Sequence, residues 1–316
     1  MPRAHRRRRL VVAVVLSGLS ASVIPAFTQT PSLDDVLSRA RQFVTRYETQ
    51  AAMLLFDEQC DQKAFESTLE STGGAYAFRG SPVRVDPRGR RKWQAEMAMV
   101  RTPESAASGY PWMEFRDVVS VDGRPLADRQ NRLSRLFLEQ AGWSLEKARQ
   151  IAEEGSRFNI GSIKRNVNTP AVPLLVLHPV NRTRFAFAKA GTDVVDRKSA
   201  WKVDYQERLA PTLISAGDAQ CPARGTFWID PANGNVMRAV LECADSALPD
   251  VVNTITVSYR LDERFGIQVP TEMLEHPESN SNKVSYGQPG KLWVEGKCTF
   301  SNFRRFETAA RMIVPK

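Results

Sequence analysis

CPARGTFWIDPANGNVMRAVLEC, residues 221–243, is the stretch whose reading decides the fold. Asp230-Pro231-Ala232-Asn233-Gly234 is a turn: proline suits its second position, and Asn-Gly accepts positive φ. On either side the residues alternate in character, with Ala223, Gly225, Phe227 and Ile229 before the turn and Met237, Ala239 and Leu241 after it. That alternation reads as two strands with one apolar face. Setting Trp228 opposite Val236 brings Cys221 directly opposite Cys243, where cross-strand neighbours supply the roughly 5.5 Å Cα separation a disulfide needs.

The same period of two continues outward from this hairpin. Phe185 and Phe187 alternate with alanines; Trp201, Val203 and Tyr205 alternate with Lys202, Asp204 and Gln206. Ile255, Val257, Tyr259 and Leu261 alternate with Thr254, Thr256, Ser258 and Arg260, and further runs lie at 268–275 and 292–303. Short connections between them predict an antiparallel meander over about 184–303, with Phe185, Phe187, Trp201, Tyr205, Val257 and Tyr259 on one face. A sheet with one apolar face must be covered or rolled up.

The preceding half supplies the cover. Ser32 with Asp35 three positions on starts a helix, and Leu33, Val36, Leu37, Ala40, Phe43, Val44 and Tyr47 form its apolar stripe. A strand begins at 53–56; STGGAYAFRGSPVRVDPRGRR, residues 71–91, reads as a loop; strands follow at 93–101 and 113–121. Helical patterns over 124–139 and 144–158, then the proline-bracketed PAVPLLVLHP, make a helical insertion of about 124–180. The fold class is α+β: one domain over 31–316, an antiparallel sheet with helices on its apolar face.

The net charge of +9 invites a nucleic-acid reading, but five arginines and no carboxylate lie within residues 1–30. Without them the balance is +4, too little for a nucleic-acid partner. MPRAHRRRRLVVAVVLSGLSASVIPAFTQT itself reads as a secretory signal: a basic start, an apolar run from Leu10 to Leu19, then small residues. Cleavage near Ala26 would leave a periplasmic or secreted protein whose only membrane contact was its signal. With export, the four cysteines read as structural disulfides, Cys221 with Cys243 and Cys60 with Cys298. Three connectivities are open, and free thiols or metal and redox chemistry are the competing readings.

A search for catalytic chemistry returns nothing: no Gly-x-Ser-x-Gly, no phosphate-cradling glycine loop, no His-Glu-x-x-His, and no Cys-x-x-Cys for zinc. His178, after an apolar run, reads as a histidine at the edge of the core that caps a short helix. Asp34-Asp35 and Glu153-Glu154 sit on helices and read as solvated pairs. Within SNFRRF, residues 301–306, Arg304 and Arg305 are candidates to hold an anionic group, or else charges that protect an edge strand. No enzyme, cofactor or metal is expected.

The C-terminal half resembles the periplasmic lipoprotein-carrier superfamily, the LolA-like proteins. The resemblance rests on the export signal, the leading amphipathic helix and the meander with its hairpin GTFWIDPANGNVMRAVLE, in which W-I-D-P closes one strand before a glycine turn. It implies a strongly curved sheet, a half-open barrel, closed on its concave side by helices around a cavity for acyl chains. The chain is also similar to uncharacterised exported bacterial proteins with segments like FRDV-x-x-VDGRP and NFRRF. Two expectations follow. The first is an exported envelope protein that binds a lipid or other apolar ligand in the concavity. The second is a non-catalytic structural or interaction protein with a self-filled core and an envelope protein partner.

Overall fold

The structure, a computed structural model, describes residues 30–52, 54–69, 83–101, 110–127, 153–163, 165, 168–216, 219–244, 251–284 and 288–305. The signal reading of residues 1–29, part of the 71–91 loop and most of the two helical patterns before 153 fall outside these. Residues from Ser32 onward form one compact unit.

Helix α1, Leu33–Ala51, begins as the sequence dictates. Ser32 Oγ accepts from the Asp35 amide at 3.1 Å while Asp35 accepts from the Ser32 amide at 3.0 Å, so two orphan donors are satisfied reciprocally. The strands are β1 (Leu54–Leu69), β2 (Val83–Arg101), β3 (Trp112–Val121), β4 (Arg124–Pro125), β5 (Phe185–Val195), β6 (Lys198–Glu207), β7 (Ile214–Ala216), β8 (Ala219–Cys221), β9 (Ala223–Ile229), β10 (Val236–Ala244), β11 (Val251–Asp262), β12 (Ile267–Val284) and β13 (Gln288–Arg305). Two 3-10 helices, Val172–Leu177 and Pro179–Asn181, precede β5. Eleven strands form one open antiparallel sheet in the order β4-β3-β2-β1-β13-β12-β11-β10-β9-β6-β5, and β7 with β8 forms a separate ribbon. From β9 to β13 the meander is unbroken, and β1 then adds to the far side of β13.

Three expectations need correcting. Val83–Arg91 is strand, not loop: its glycine and proline sit where the β1–β2 register shifts, between Ala64 and Phe65, so a chain rich in loop residues still pairs. Arg124–Pro125, expected to begin a helix, instead returns through the Asp122-Gly123 turn to pair with Ser120 and Val121. The β9–β10 register is two residues off. Ile229 faces Val236, a bulge follows, and Phe227 faces Ala239, so Cys243 lies opposite Ala223. The bulge turns Met237 away from the core to pack with Val195, Ala200 and Trp228 on the other face.

Apolar residues of the sheet's inner face, α1 and the first 3-10 helix share one core cluster. At the hairpin, Gly234 takes φ 78°, and a Cβ there would sit 2.3 Å from the Arg39 carbonyl carbon of α1. Only glycine allows that turn to abut the helix. Arg39 Nη1 also donates to the Pro231 carbonyl at 2.6 Å, so α1 is clamped at this end.

Candidate ligand site on the concave face

The inner face has two halves. In the apolar half, β5, β6 and β9 to β12 turn Phe185, Trp201, Tyr205, Phe227, Val257 and Tyr259 inward, each 6% exposed or less. Register brings them together: Phe187 faces Tyr205, Val203 faces Phe227, and Ala239 faces both Phe227 and Val257. Tyr205 stacks on Phe227 with ring centroids 4.8 Å apart and meets Phe185 edge-on at 5.8 Å. Opposite Tyr205 lies Gly225, where a Cβ would come 1.9 Å from the Val240 carbonyl oxygen to which the Tyr205 hydroxyl donates at 3.0 Å. The residue without a side chain makes room for the aromatic.

The six residues read from alternation as the apolar ligand face therefore do share one side of one sheet, beneath α1 and the first 3-10 helix. Phe187 alone of them is only half-buried. Above its ring lies the Arg41 guanidinium of α1, 5.8 Å from the centroid. Burial and the neighbouring Arg182 guanidinium lower the Arg41 pKa, with Asp34 opposing. Arg41 thus sets a cation over the ring at the margin of the apolar face.

The far end of α1 is tied down by polar contacts. Glu48 accepts from Arg101 Nε at 2.7 Å, and His178 Nε2 lies 3.1 Å from its other oxygen. His178 Nδ1 in turn accepts from the Val180 amide at 3.3 Å, capping the second 3-10 helix. Burial lowers the His178 pKa, against Glu48, which raises it; the ring is a neutral anchor.

The other half of the inner face is polar, which the strand pattern concealed. Glu58 and Gln62 of β1 lie in the same inward row as Phe56, Cys60 and Ala64, fully buried. Arg116 of β3 holds Glu58 in a fork, Nε at 2.6 Å and Nη2 at 2.8 Å, and Trp93 Nε1 donates to the same carboxylate at 3.2 Å. Arg165 lies 3.3 Å from Glu275 of β12. Asn168 knits the two pairs together: its carbonyl accepts from Arg116 at 2.7 Å and its amide donates to Glu275 at 3.2 Å. Gln62 completes the lattice, accepting from the Ile160 amide at 2.9 Å. The effect is mechanical: Asn159, Ile160, Arg165, Asn168 and Ala171 are bonded to side chains of β1, β3 and β12.

Three carboxyls, Glu58, Glu114 and Glu275, face two guanidiniums here. Glu114 Oε2 accepts from the Ala171 amide at 2.8 Å, while its Oε1 has no hydrogen-bond partner among the described residues. Burial lifts its pKa to about 7, only partly offset by Thr169, Ala171 and Arg116. A proton held on Glu114 would leave two carboxylates facing two guanidiniums. None of these groups stood out in sequence. The one available signal was Glu58, Gln62 and Glu66 sharing the inward register of β1 with Phe56, Cys60 and Ala64.

Arg304 is not at the concavity, whereas Arg305 pairs across the strands with inward-facing Leu54 at the end of β13. Arg304 lies on the outer face, where it pairs with Asp57 at 2.8 Å and with Glu96, and Arg305 lies over Phe265 at 5.9 Å. Neither guards an edge, because β13 lies between β1 and β12. The cysteines are joined as Cys60–Cys298 and Cys221–Cys243, with Cα separations of 4.1 and 5.4 Å. Cys60 and Cys298 are direct cross-strand partners, whereas Cys221 reaches Cys243 from β8, beyond Pro222.

No family model and no curated protein matches the chain. Among solved structures, a putative outer membrane lipoprotein-sorting protein domain from Vibrio parahaemolyticus overlaps 86% of this chain and 92% of its own, at 9% identity and TM-score 0.30. A DUF1329 family protein from Desulfovibrio piger overlaps 87% and 96%, at 12% identity and TM-score 0.29. The MucA/MucB complex structure of Pseudomonas aeruginosa overlaps 85% of this chain and 99% of the matched one, at 10% identity and TM-score 0.20. Likenesses at this level assign no function.

Proposed function

We propose that the protein is an exported, non-catalytic envelope protein that takes the acyl chain of an anionic lipid between α1 and the β5–β6 edge of its apolar inner face. The observation that carries this reading is the Arg41 guanidinium lying over the Phe187 ring at the edge where Phe187 is incompletely covered. An acyl chain would replace apolar contacts with apolar contacts at little cost, while its head group would meet the Arg41 charge. Export is supported by two disulfides, which persist in oxidising compartments, and by the basic and apolar N-terminal sequence.

A specific observation favours a second reading, a scaffold with a self-filled core. Val203, Val257 and Phe227 are 0% exposed, and α1 is fastened at both ends. Its function would then be to present a surface to an envelope protein partner. Two measurements separate the readings: native mass spectrometry of protein purified from its own envelope, and titration with a fluorescent fatty acid. Under the carrier reading the parent binds the probe, Arg41→Gln weakens binding, and Val257→Ala changes uptake more than stability. If the parent takes up no fatty acid, carries no lipid, and Val257→Ala simply costs about 1–3 kcal/mol, the carrier reading is wrong.

A further inference from the structure

The outer face carries a second feature that the concave site does not use. Across three strands Pro87 of β2 faces Phe65 of β1, and Phe65 faces Trp293 of β13, so one row of the pleat is apolar. Phe65 and Trp293 stack at 5.3 Å with an interplanar angle of 16°. Cores explain stacked aromatics, but this pair is on the opposite side of β1 from Gln62, Ala64 and Glu66, which face the interior. One step along β2, Val85 is 52% exposed, and Val83 beyond it is 61% exposed. One step the other way come Lys63 and Arg90, exposed cross-strand partners; Arg90 forks Asp61, and Lys63 and Lys92 act on the same carboxylate, so three cations share one anion. A cleft of about 470 Å³ is lined by Lys63, Phe65, Pro87, Arg88, Gly89 and Arg90, with Arg88 paired to Glu66 and Arg90 to Asp61.

The sequence of this stretch is unusual in the same sense. VRVDPRGRRK, residues 83–92, holds five basic residues against one acidic one. Among the described residues Val83–Arg91 pairs on one side only, because β3 meets β2 from Trp93 onward. It is an edge, yet a poor template for another strand: Pro87 cannot donate, the register is broken beside it, and its charges discourage pairing.

We propose that this outer face is a docking surface for an anionic lipid bilayer. Exposed valines beside a flat tryptophan, rimmed by lysine and arginine, have the chemistry of a membrane interface: apolar groups enter the acyl boundary, amphipathic rings sit at head-group depth, and cations meet lipid phosphates. A soluble polyanion would engage the cations and leave Val83 and Val85 without a role. A β-strand partner would need the edge that proline and charge obstruct. The patch is on the opposite face of the sheet from Arg41 and Phe187, so the inference stands apart from the acyl-chain reading.

The test is flotation of the full-length mature protein with vesicles of phosphatidylcholine and phosphatidylglycerol at roughly 3:1, against pure phosphatidylcholine, at low and physiological salt. The parent binds the anionic vesicles preferentially, and salt weakens the binding. Lys63→Gln weakens it about fivefold, the effect of one cation near an anionic surface. Val83→Ser/Val85→Ser weakens it at equal charge. Thermal melting confirms that these exposed substitutions keep the fold. The proposal is overturned if the parent floats equally with neutral vesicles or with neither, or if both patch variants bind like the parent. Light scattering supplies the remaining outcome: a parent dimer that the valine variant dissociates, without vesicle binding, makes the patch a contact between copies instead.

Discussion

Replacing Arg116 with methionine removes the fork to Glu58 and both bonds to Asn168 while keeping most of the buried stem. The Arg116 and Glu58 side chains are 3% and 0% exposed, so the carboxylate is left in the interior with Trp93 Nε1 as its remaining donor. Removing one partner of such a pair costs about 3–5 kcal/mol, because the surviving charge cannot recover its hydration. Glu58→Gln should cost a similar amount by stranding the guanidinium. The double variant Glu58→Gln/Arg116→Met leaves no orphaned charge and should cost well below the sum, with a coupling of about 2 kcal/mol or more. Urea unfolding at neutral pH measures all four proteins, and each single variant should melt about 10 °C lower. Hydrogen exchange should show the amides of Ile160 and Ala171 losing protection first, since neighbouring Asn168 is bonded to Arg116. A cost for Arg116→Met below about 1 kcal/mol, or strict additivity in the double variant, would refute the claim that each group of this pair compensates the other's buried charge.

Further expectations follow from other parts of the structure. Glu114 has a folded pKa of about 7 against an ordinary 4.5, raised by burial, so its protonated form stabilises the fold. That contribution is complete below the unfolded value and is lost as pH climbs from about 4.5 through 7, up to about 3 kcal/mol; Glu114→Gln should flatten that slope in urea midpoints taken across the range. Gly234→Ala adds a Cβ at positive φ against the α1 backbone, and a melting curve should show a loss of at least about 2 kcal/mol; a neutral result would mean the turn does not abut α1. Removing Cys60–Cys298, which spans 238 residues, should destabilise more than removing Cys221–Cys243, which spans 22. On loop closure the figures are about 5 and about 3 kcal/mol, measured by comparing paired Cys→Ala variants. Non-reducing peptide mapping checks the pairing itself.

What could be read from sequence was whatever repeats locally. Trp201, Val203 and Tyr205 declare their face by alternation alone, and Ser32 with Asp35 declares the start of α1. Register could not be read, because the bulge at Met237 inserts a residue that composition does not mark, and two strands slid by two. Val83–Arg91 looked like a loop because the proline and glycine that tolerate a register break are the residues that fill loops. The polar lattice was out of reach for a different reason: Glu58, Arg116, Arg165 and Glu275 come from four distant places, and each alone looks like an ordinary surface charge. Arg304 was misplaced with its strand, since nothing within SNFRRF reveals that β13 is flanked on both sides.

That position of β13 sets an order of events. Four strands lie on one side of it and six on the other, and it comes last in sequence among the described strands. While the polypeptide is still emerging from a ribosome or a translocation channel, β1 to β4 and β5 to β12 can pair only within their own groups. β1 and β12 each present a bare row of amides and carbonyls until the final eighteen-residue strand, Gln288–Arg305, arrives between them. Contacts of such sequence separation form slowly, so the nascent protein passes through a stage with two open seams. A chain cut short before residue 288 would remain in that stage permanently, with raw strands ready to pair with any neighbour.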